Sequence, residues 1–181
     1  ESTLAAANPE IYVQGSFRLG TAIPPFDREE DYDVDLVSEL QLDKTQLSQA
    51  ELKERLGAEL RAYARAHGMQ PPSEGDRCWT LDYADGARFH LDTLPAIPDG
   101  LLKRRLLESS GLSSVYADTA IAITDRQHPD YRRHSTTWPH SNPKGYAAWF
   151  ISRLGPFFEA KRKKLALEAR ASVEDIPLYQ V

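Results

Sequence analysis

The 181-residue chain carries 22 Lys and Arg against 27 Asp and Glu, a formal net charge of −5, which argues against a binder of duplex nucleic acid. With 41 % hydrophobic and 27 % charged residues, it suits one globular domain with a real core, or a core plus a small helical extension. Cys78 is the only cysteine, which excludes an intrachain disulfide or thiolate cluster, and no apolar run approaches the roughly 20 residues of a membrane span, so a cytoplasmic protein without a membrane partner is expected.

The first eight residues read as the tail of a preceding helix. Glu10 to Gln14 is a short bridge into a Gly15-Ser16 turn, and the next residues start a helix whose N-terminus faces phosphate. Pro24-Pro25 ends that element, and Asp27, Glu29, Glu30 and Asp31 read as solvent-facing turn residues. Asp31 to Leu40 alternates as a first core strand. Asp43 to His67 is the clearest helix, with Leu47, Leu52, Leu56, Leu60, Tyr63 and Ala64 as its apolar stripe and Gly68 as its stop.

Pro71-Pro72 makes a linker. Cys78 to Tyr83 and Ala87 to Leu94 flank Ala84-Asp85-Gly86, a hairpin signal, and Pro95 and Pro98 terminate the second strand. Leu101 to Glu108 reads as a short helix and Thr119 to Thr124 as a strand. The long polar segment Asp125 to Pro143 has the length of a functional or mobile loop. Ala147 to Arg170 is helical with a break at Gly155-Pro156, and Ile176-Pro177-Leu178-Tyr179 leads toward another helix. The basic clusters Lys103-Arg104-Arg105, Arg132-Arg133 and Lys161-Arg162-Lys163-Lys164 read as solvated faces or local phosphate contacts. The expected architecture is α/β, a mixed central sheet flanked by helices. A core over residues 1–125 precedes a polar loop and the start of a helical lobe over 126–181.

The chemistry concentrates in two early motifs. Gly15-Ser16 offers backbone N–H groups and a hydroxyl to phosphate oxygens. In Tyr32-Asp33-Val34-Asp35-Leu36 the period of two puts Asp33 and Asp35 on one face, about 7 Å apart along the strand, with Val34 and Leu36 turned to the core. Two carboxylates at that spacing suit a pair of Mg²⁺ ions handling a nucleoside triphosphate. Phe89-His90-Leu91-Asp92 supplies a third if its strand lies beside the first. Asp92 is then the natural general base, and His90 shares its face as a structural imidazole or a site member.

Gln14-Gly15-Ser16 with Gly20-Thr21, then Tyr32 to Leu36, then His90-Leu91-Asp92 before Leu94-Pro95, resemble the DNA polymerase β-like nucleotidyltransferases. The later stretch from Trp138 to Tyr146, leading to Trp149-Phe150, is similar to one in the bacterial DncV-like enzymes related to cyclic GMP-AMP synthase and oligoadenylate synthase. The resemblance spans Gln14 to Phe150 and implies a polymerase β-like core making a cyclic di- or oligonucleotide messenger in anti-phage signalling. The implied substrates are ATP and a second NTP, and the implied cofactor is two Mg²⁺ ions, with Mn²⁺ as a substitute. Asp33, Asp35 and Asp92 would hold the metals, and Gln14, Gly15, Ser16 and Thr21 the triphosphate. Asn142 would face a nucleobase, although Ser141-Asn142-Pro143 equally suits a helix N-cap followed by proline. Regulatory or effector proteins of a defence operon are the implied protein partners. Family members are usually considerably longer, so this chain is expected to be a fragment lacking most of a C-terminal lobe. Two other functions remain open at this point: transfer of NMP to a protein, RNA end or small molecule, and a non-catalytic nucleotide-binding module.

Overall fold

The computed structural model describes residues 4–23, 32–83, 89–110 and 113–169. Among the described residues seven strands form one mixed sheet: β1 (Glu10–Val13), β2 (Tyr32–Glu39), β3 (Ser73–Glu74), β4 (Trp79–Tyr83), β5 (Phe89–Pro98), β6 (Ile121–Ile123) and β7 (His140–Ser141). The order is β1-β2-β5-β4-β3, with β6 pairing the far end of β5 and β7 pairing β6. Only β2 and β5 run parallel; the other pairs are antiparallel. The described α-helices that accompany the sheet are α1 (Gly15–Leu19), α2 (Gln49–Ala66), α3 (Gly100–Ser109) and α4 (Pro143–Ala169).

Strand alternation divides the buried residues between two faces. On one, Leu40, Trp79, Ile97 and Ala122 pack with Leu52 and Leu56 of α2, and with Leu4, Leu47 and Trp138. On the other, Val37, Leu94, Ala96, Ile121 and Ile123 form a second cluster with Tyr12 and Cys78 against it. Each fully buried Leu or Ile contributes about 1.5–3 kcal/mol, so these two clusters hold the sheet rigid under whatever its ends carry.

The predicted long helix is present but starts later than its apolar pattern suggests. Asp43 Oδ1 instead accepts from the backbone N–H and hydroxyl of Thr45, both at 2.8 Å, making a turn. The helix begins at Gln49 behind a capping box, in which Ser48 accepts from the Glu51 N–H while the Glu51 carboxylate accepts from the Ser48 N–H. Gly68 at φ 65° stops it as expected. Inside α2, the fully buried Lys53 spends its charge on backbone: its Nζ donates to the Gly75 and Asp76 carbonyls, pinning the turn that feeds β4.

Other boundaries shift for identifiable reasons. Glu10 to Val13 is an edge strand rather than a bridge, paired with β2 from Glu10↔Glu39 to Val13↔Leu36. The helix after Gly15 is stopped by Gly20 in the left-handed region (φ 68°), not by Pro24-Pro25, which lie outside the described residues. So do Asp27 to Asp31, the Ala84-Asp85-Gly86 turn and Ile176 to Tyr179, although Tyr83↔Phe89 pair antiparallel as a hairpin requires.

Pro95 does not end β5, which continues to Pro98. The Ala96 carbonyl accepts from Leu40 on the β2 side, so alternation turns the Pro95 nitrogen to the opposite edge. There β4 has stopped at Trp79↔Thr93 and β6 begins only at Ile123↔Ala96, so no ladder donor is needed.

The long polar segment is packed rather than loose. Gln49 Oε1 accepts from the Asp125 N–H, the Ala50 N–H reaches the Tyr131 carbonyl, and Trp138 is buried. Its end adds the short strand β7. Pro156 lies inside α4, which runs without the expected break from Pro143 rather than Ala147. Among the described residues no helix is long and apolar enough to cross a membrane.

The contact between α2 and β4 is tight enough to test. A methyl group at Gly57 would stand 2.3 Å from Cζ2 of Trp79. Gly57→Ala gains about 1 kcal/mol of helix propensity, but overpacking a dense core costs about 1–3 kcal/mol. A net loss of stability is expected in urea unfolding, with the midpoint lowered.

Candidate active site

The parallel register of β2 and β5 assembles the acidic face. Asp35 lies opposite Asp92 and Asp33 opposite His90, so all four side chains share one face of the sheet. Strand β4 adds Thr80 beside Asp92 and Asp82 beside His90. The Thr80 hydroxyl donates to Asp92 Oδ1 at 2.5 Å, fixing that carboxylate while leaving Oδ2 for other partners. His90 Nδ1 stands 2.7 Å from Asp82 Oδ1, which makes the imidazole a structural partner of a fourth, exposed carboxylate.

The Gly-Ser motif abuts the same carboxylates. The Gln14 N–H donates to the Asp35 carbonyl at 2.8 Å, so β1 hands directly into α1 beside the acidic strand. Gly15 has φ 61°, and a Cβ there would come within 2.2 Å of Asp35 Oδ2. Conformation and space therefore both demand glycine at this point. Ser16 follows in the first turn of α1, and its carbonyl accepts from the Thr21 N–H at 2.9 Å, closing the motif after Gly20. Thr21 thus shapes the turn through its backbone.

The electrostatics of Asp35 are those of an uncompensated site. Burial first, then Asp92, then Asp33, raise its pKa above the usual carboxylate range, and among the described residues no cation opposes them. Cys78 lies at the base of the cluster, where burial, Asp92 and Asp35 push its thiol up to about 11. At neutral pH it is therefore a protonated thiol.

The donor set fits divalent cations by its chemistry: hard carboxylate oxygens, mutually repelling, on two rigid neighbouring strands. Among the described residues no three Asp, Glu, His or Cys side chains close around one point as a finished metal cage. The fit therefore rests on charge and register.

A cleft of about 360 Å³ opens next to this face, between α1 and the start of α4. Gln14, Gly15 and Arg18 line one wall and Ser141, Asn142 and Tyr146 the other. Arg18 was not singled out by its motif, yet it brings a guanidinium here. Its Nη1 donates to the Val13 carbonyl at 3.3 Å, and its buried Nε has no hydrogen-bond partner among the described residues. Asn142 reaches the cleft but is a working N-cap: Oδ1 accepts from the Gly145 N–H at 2.8 Å and the Thr119 hydroxyl at 2.9 Å, and Nδ2 donates to the Tyr116 carbonyl. Lys144 ties α4 down, its Nζ 2.6 Å from Glu10 Oε1 and 4.0 Å from the Tyr12 ring centroid. Tyr12 in turn donates to Glu39 Oε2 at 3.0 Å.

Known proteins resemble this chain in sequence and in fold. Residues 9–95 match the sequence model of the family described as cyclic GMP-AMP synthase DncV-like, nucleotidyltransferase domain. A c-di-GMP synthase of Roseivirga ehrenbergii is 27 % identical over 142 residues, covering 78 % of this chain and 31 % of the relative. The Bradyrhizobium diazoefficiens CD-NTase CdnG, solved in complex with GTP, aligns with a TM-score of 0.56 at 21 % identity over 94 % of this chain and 44 % of its own. Vibrio cholerae DncV cyclic AMP-GMP synthase aligns with a TM-score of 0.54 at 18 % identity over 80 % and 35 %. The chain thus spans about a third of the curated relative's length (31 %). Sequence match and fold agree: residues 9–95 match the DncV-like nucleotidyltransferase domain, and the chain shares the fold of these enzymes.

Proposed function

We propose that the full-length protein joins nucleoside triphosphates, ATP and a second NTP, into a cyclic di- or oligonucleotide messenger with release of pyrophosphate. The setting proposed for it is anti-phage defence. The observation carrying this reading is the convergence of Asp33, Asp35 and Asp92 on one face, with Gly15 packed against the Asp35 carboxylate. Relatives named as cyclic dinucleotide synthases support it.

In this reading the triphosphate lies along the cleft, against Gly15 and the Arg18 guanidinium that line it, with Ser16 in the first turn of α1 offering its backbone and hydroxyl. Asp33, Asp35 and Asp92 would hold two Mg²⁺ ions, or Mn²⁺ in their place. When bound, the ions lower the pKa of the attacking hydroxyl and neutralise charge on the α-phosphate and the leaving pyrophosphate. Asp92, oriented by Thr80, takes the proton of the acceptor ribose hydroxyl. The hydroxyl oxygen bonds to the α-phosphorus, and the bond from that phosphorus to the bridging oxygen breaks. Thr21 keeps the turn closed, and Asn142 holds the start of α4 against the cleft.

Two measurements test this reading. Incubation of the full-length protein with Mg²⁺ and four α-³²P-labelled NTPs should yield a small phosphatase-resistant product. An Asp33→Ala, Asp35→Ala protein should fall to background, at least about 10³-fold lower. Label on a macromolecule would move the reading to NMP transfer, and no product at all would leave a binding module.

The second measurement uses the charge at Asp35. Its pKa is raised in the folded state, so the native protein holds that proton to higher pH than the unfolded chain, and stability falls as pH rises through the folded value. Asp35→Asn should therefore raise the melting temperature of the cation-free protein at pH 7. Mg²⁺ should raise that of the wild type and leave the variant nearly unchanged.

A further inference from the structure

Neither Tyr12 nor Lys144 lines the Gly-Ser cleft, yet together they join its two walls. One wall is the run from β1 into α1, which carries Gly15 and Arg18; the other is the start of α4, with Asn142 and Tyr146. Lys144 stands in the first turn of α4, its Nζ 2.6 Å from Glu10 Oε1 and 3.7 Å from Glu39 Oε2. The same ammonium lies 4.0 Å from the Tyr12 ring centroid, and Arg18 Cζ lies 5.7 Å from it. A cation from each wall therefore rests on one aromatic ring.

Among the described residues the Arg18 guanidinium has few other holds. Its Nη1 reaches the Val13 carbonyl only at 3.3 Å, and its buried Nε has no hydrogen-bond partner. Its place in the cleft thus depends on the Tyr12 ring, and that ring is fixed from its far end. The Tyr12 hydroxyl donates to Glu39 Oε2 at 3.0 Å. Burial first, then the Glu39 carboxylate, raise the pKa of this phenol far above its ordinary value, so it remains a donor. Glu39 is itself buried, and the hydroxyl and the Lys144 ammonium compensate its charge.

The start of α4 is held from two sides. Asn142 ties it to the Tyr116 carbonyl and the Thr119 hydroxyl, and Lys144 ties it to β1. We propose that Tyr12 and Lys144 are positioning residues for triphosphate binding, which set Arg18 and the start of α4 at a fixed separation before a ligand enters. That Arg18 meets a triphosphate rests on the nucleotidyl-transfer reading; its coupling to Lys144 does not.

The test measures, by calorimetry on the full-length protein with Mg²⁺, the affinity for the α,β-methylene analogues of ATP and of GTP. For the analogue that the wild type binds more tightly, Lys144→Met and, separately, Tyr12→Leu should each weaken binding about fivefold or more, and Lys144→Arg should restore most of the loss. The decisive comparison is made in an Arg18→Met protein, where Lys144→Met should change the affinity less than about twofold, because it acts through the group already removed. Melting temperatures identify any variant that fails to fold. Should Lys144→Met be one, Glu10→Gln, at an exposed residue, carries the same comparison: weaker binding alone, no effect beside Arg18→Met. Unchanged affinity, or a loss that multiplies with that of Arg18→Met, overturns the proposal, as does failure of the wild type to bind either analogue. Product formation from labelled NTPs is read separately. Product from the wild type with affinity indifferent to Lys144 removes the positioning role and keeps the enzyme; coupled binding without product keeps the role and removes the enzyme.

Discussion

Parallel pairing of β2 with β5 is the constraint on which the rest depends. A register with Asp35 opposite Asp92 places like charges side by side on one sheet face, where each raises the cost of ionising the other. A shift of one residue along β5 would turn Asp92 to the opposite face, toward Leu40 and Ile97. The register is held from that opposite side, where α2 packs Leu52 and Leu56 against the sheet. It is held again below the carboxylates by Val37, Leu94 and Ala96. The repulsion is thus local, while the forces resisting it are spread over two clusters.

Around that register, several small devices leave little slack. Gly15 lies so close to Asp35 that no side chain fits between them. Thr80 fixes one oxygen of Asp92, and the buried Lys53 anchors the turn leading into the same strand. Lys144, Tyr12 and Glu39 fasten α4 over the sheet, and Asn142 caps its first turn. A site built this way holds its charged groups in place before any ligand arrives, which is what catalysis by electrostatic preorganisation needs.

Much of this was legible in the sequence because the informative patterns are local. Asp33 and Asp35 declare a strand face through their period of two, and Gly15 and Gly68 occupy left-handed positions where glycine is favoured. The pairing of Asp92 with Asp35 could be stated only as a condition, because strand neighbours are set by long-range packing. Boundaries failed where a local rule met a tertiary exception. Pro95 falls where β5 changes neighbours, and Leu47 is apolar but belongs to the turn before the Ser48 cap. The Ser48-x-x-Glu51 signature was present and outweighed by the apolar stripe. Arg18, Thr80 and the hold of Lys144 on Tyr12 were not legible, since each depends on elements brought together from distant parts of the chain.

The account stands on Asp33, Asp35 and Asp92 acting together on divalent cations beside a bound triphosphate. Anomalous scattering from crystals of the full-length protein grown with Mn²⁺ and a non-hydrolysable GTP analogue tests this most directly. The account predicts two anomalous peaks within coordinating distance of these three carboxylates, about 3.5–4 Å apart, with the triphosphate running past Gly15. Full occupancy by the nucleotide with no Mn²⁺ at the carboxylates would contradict it.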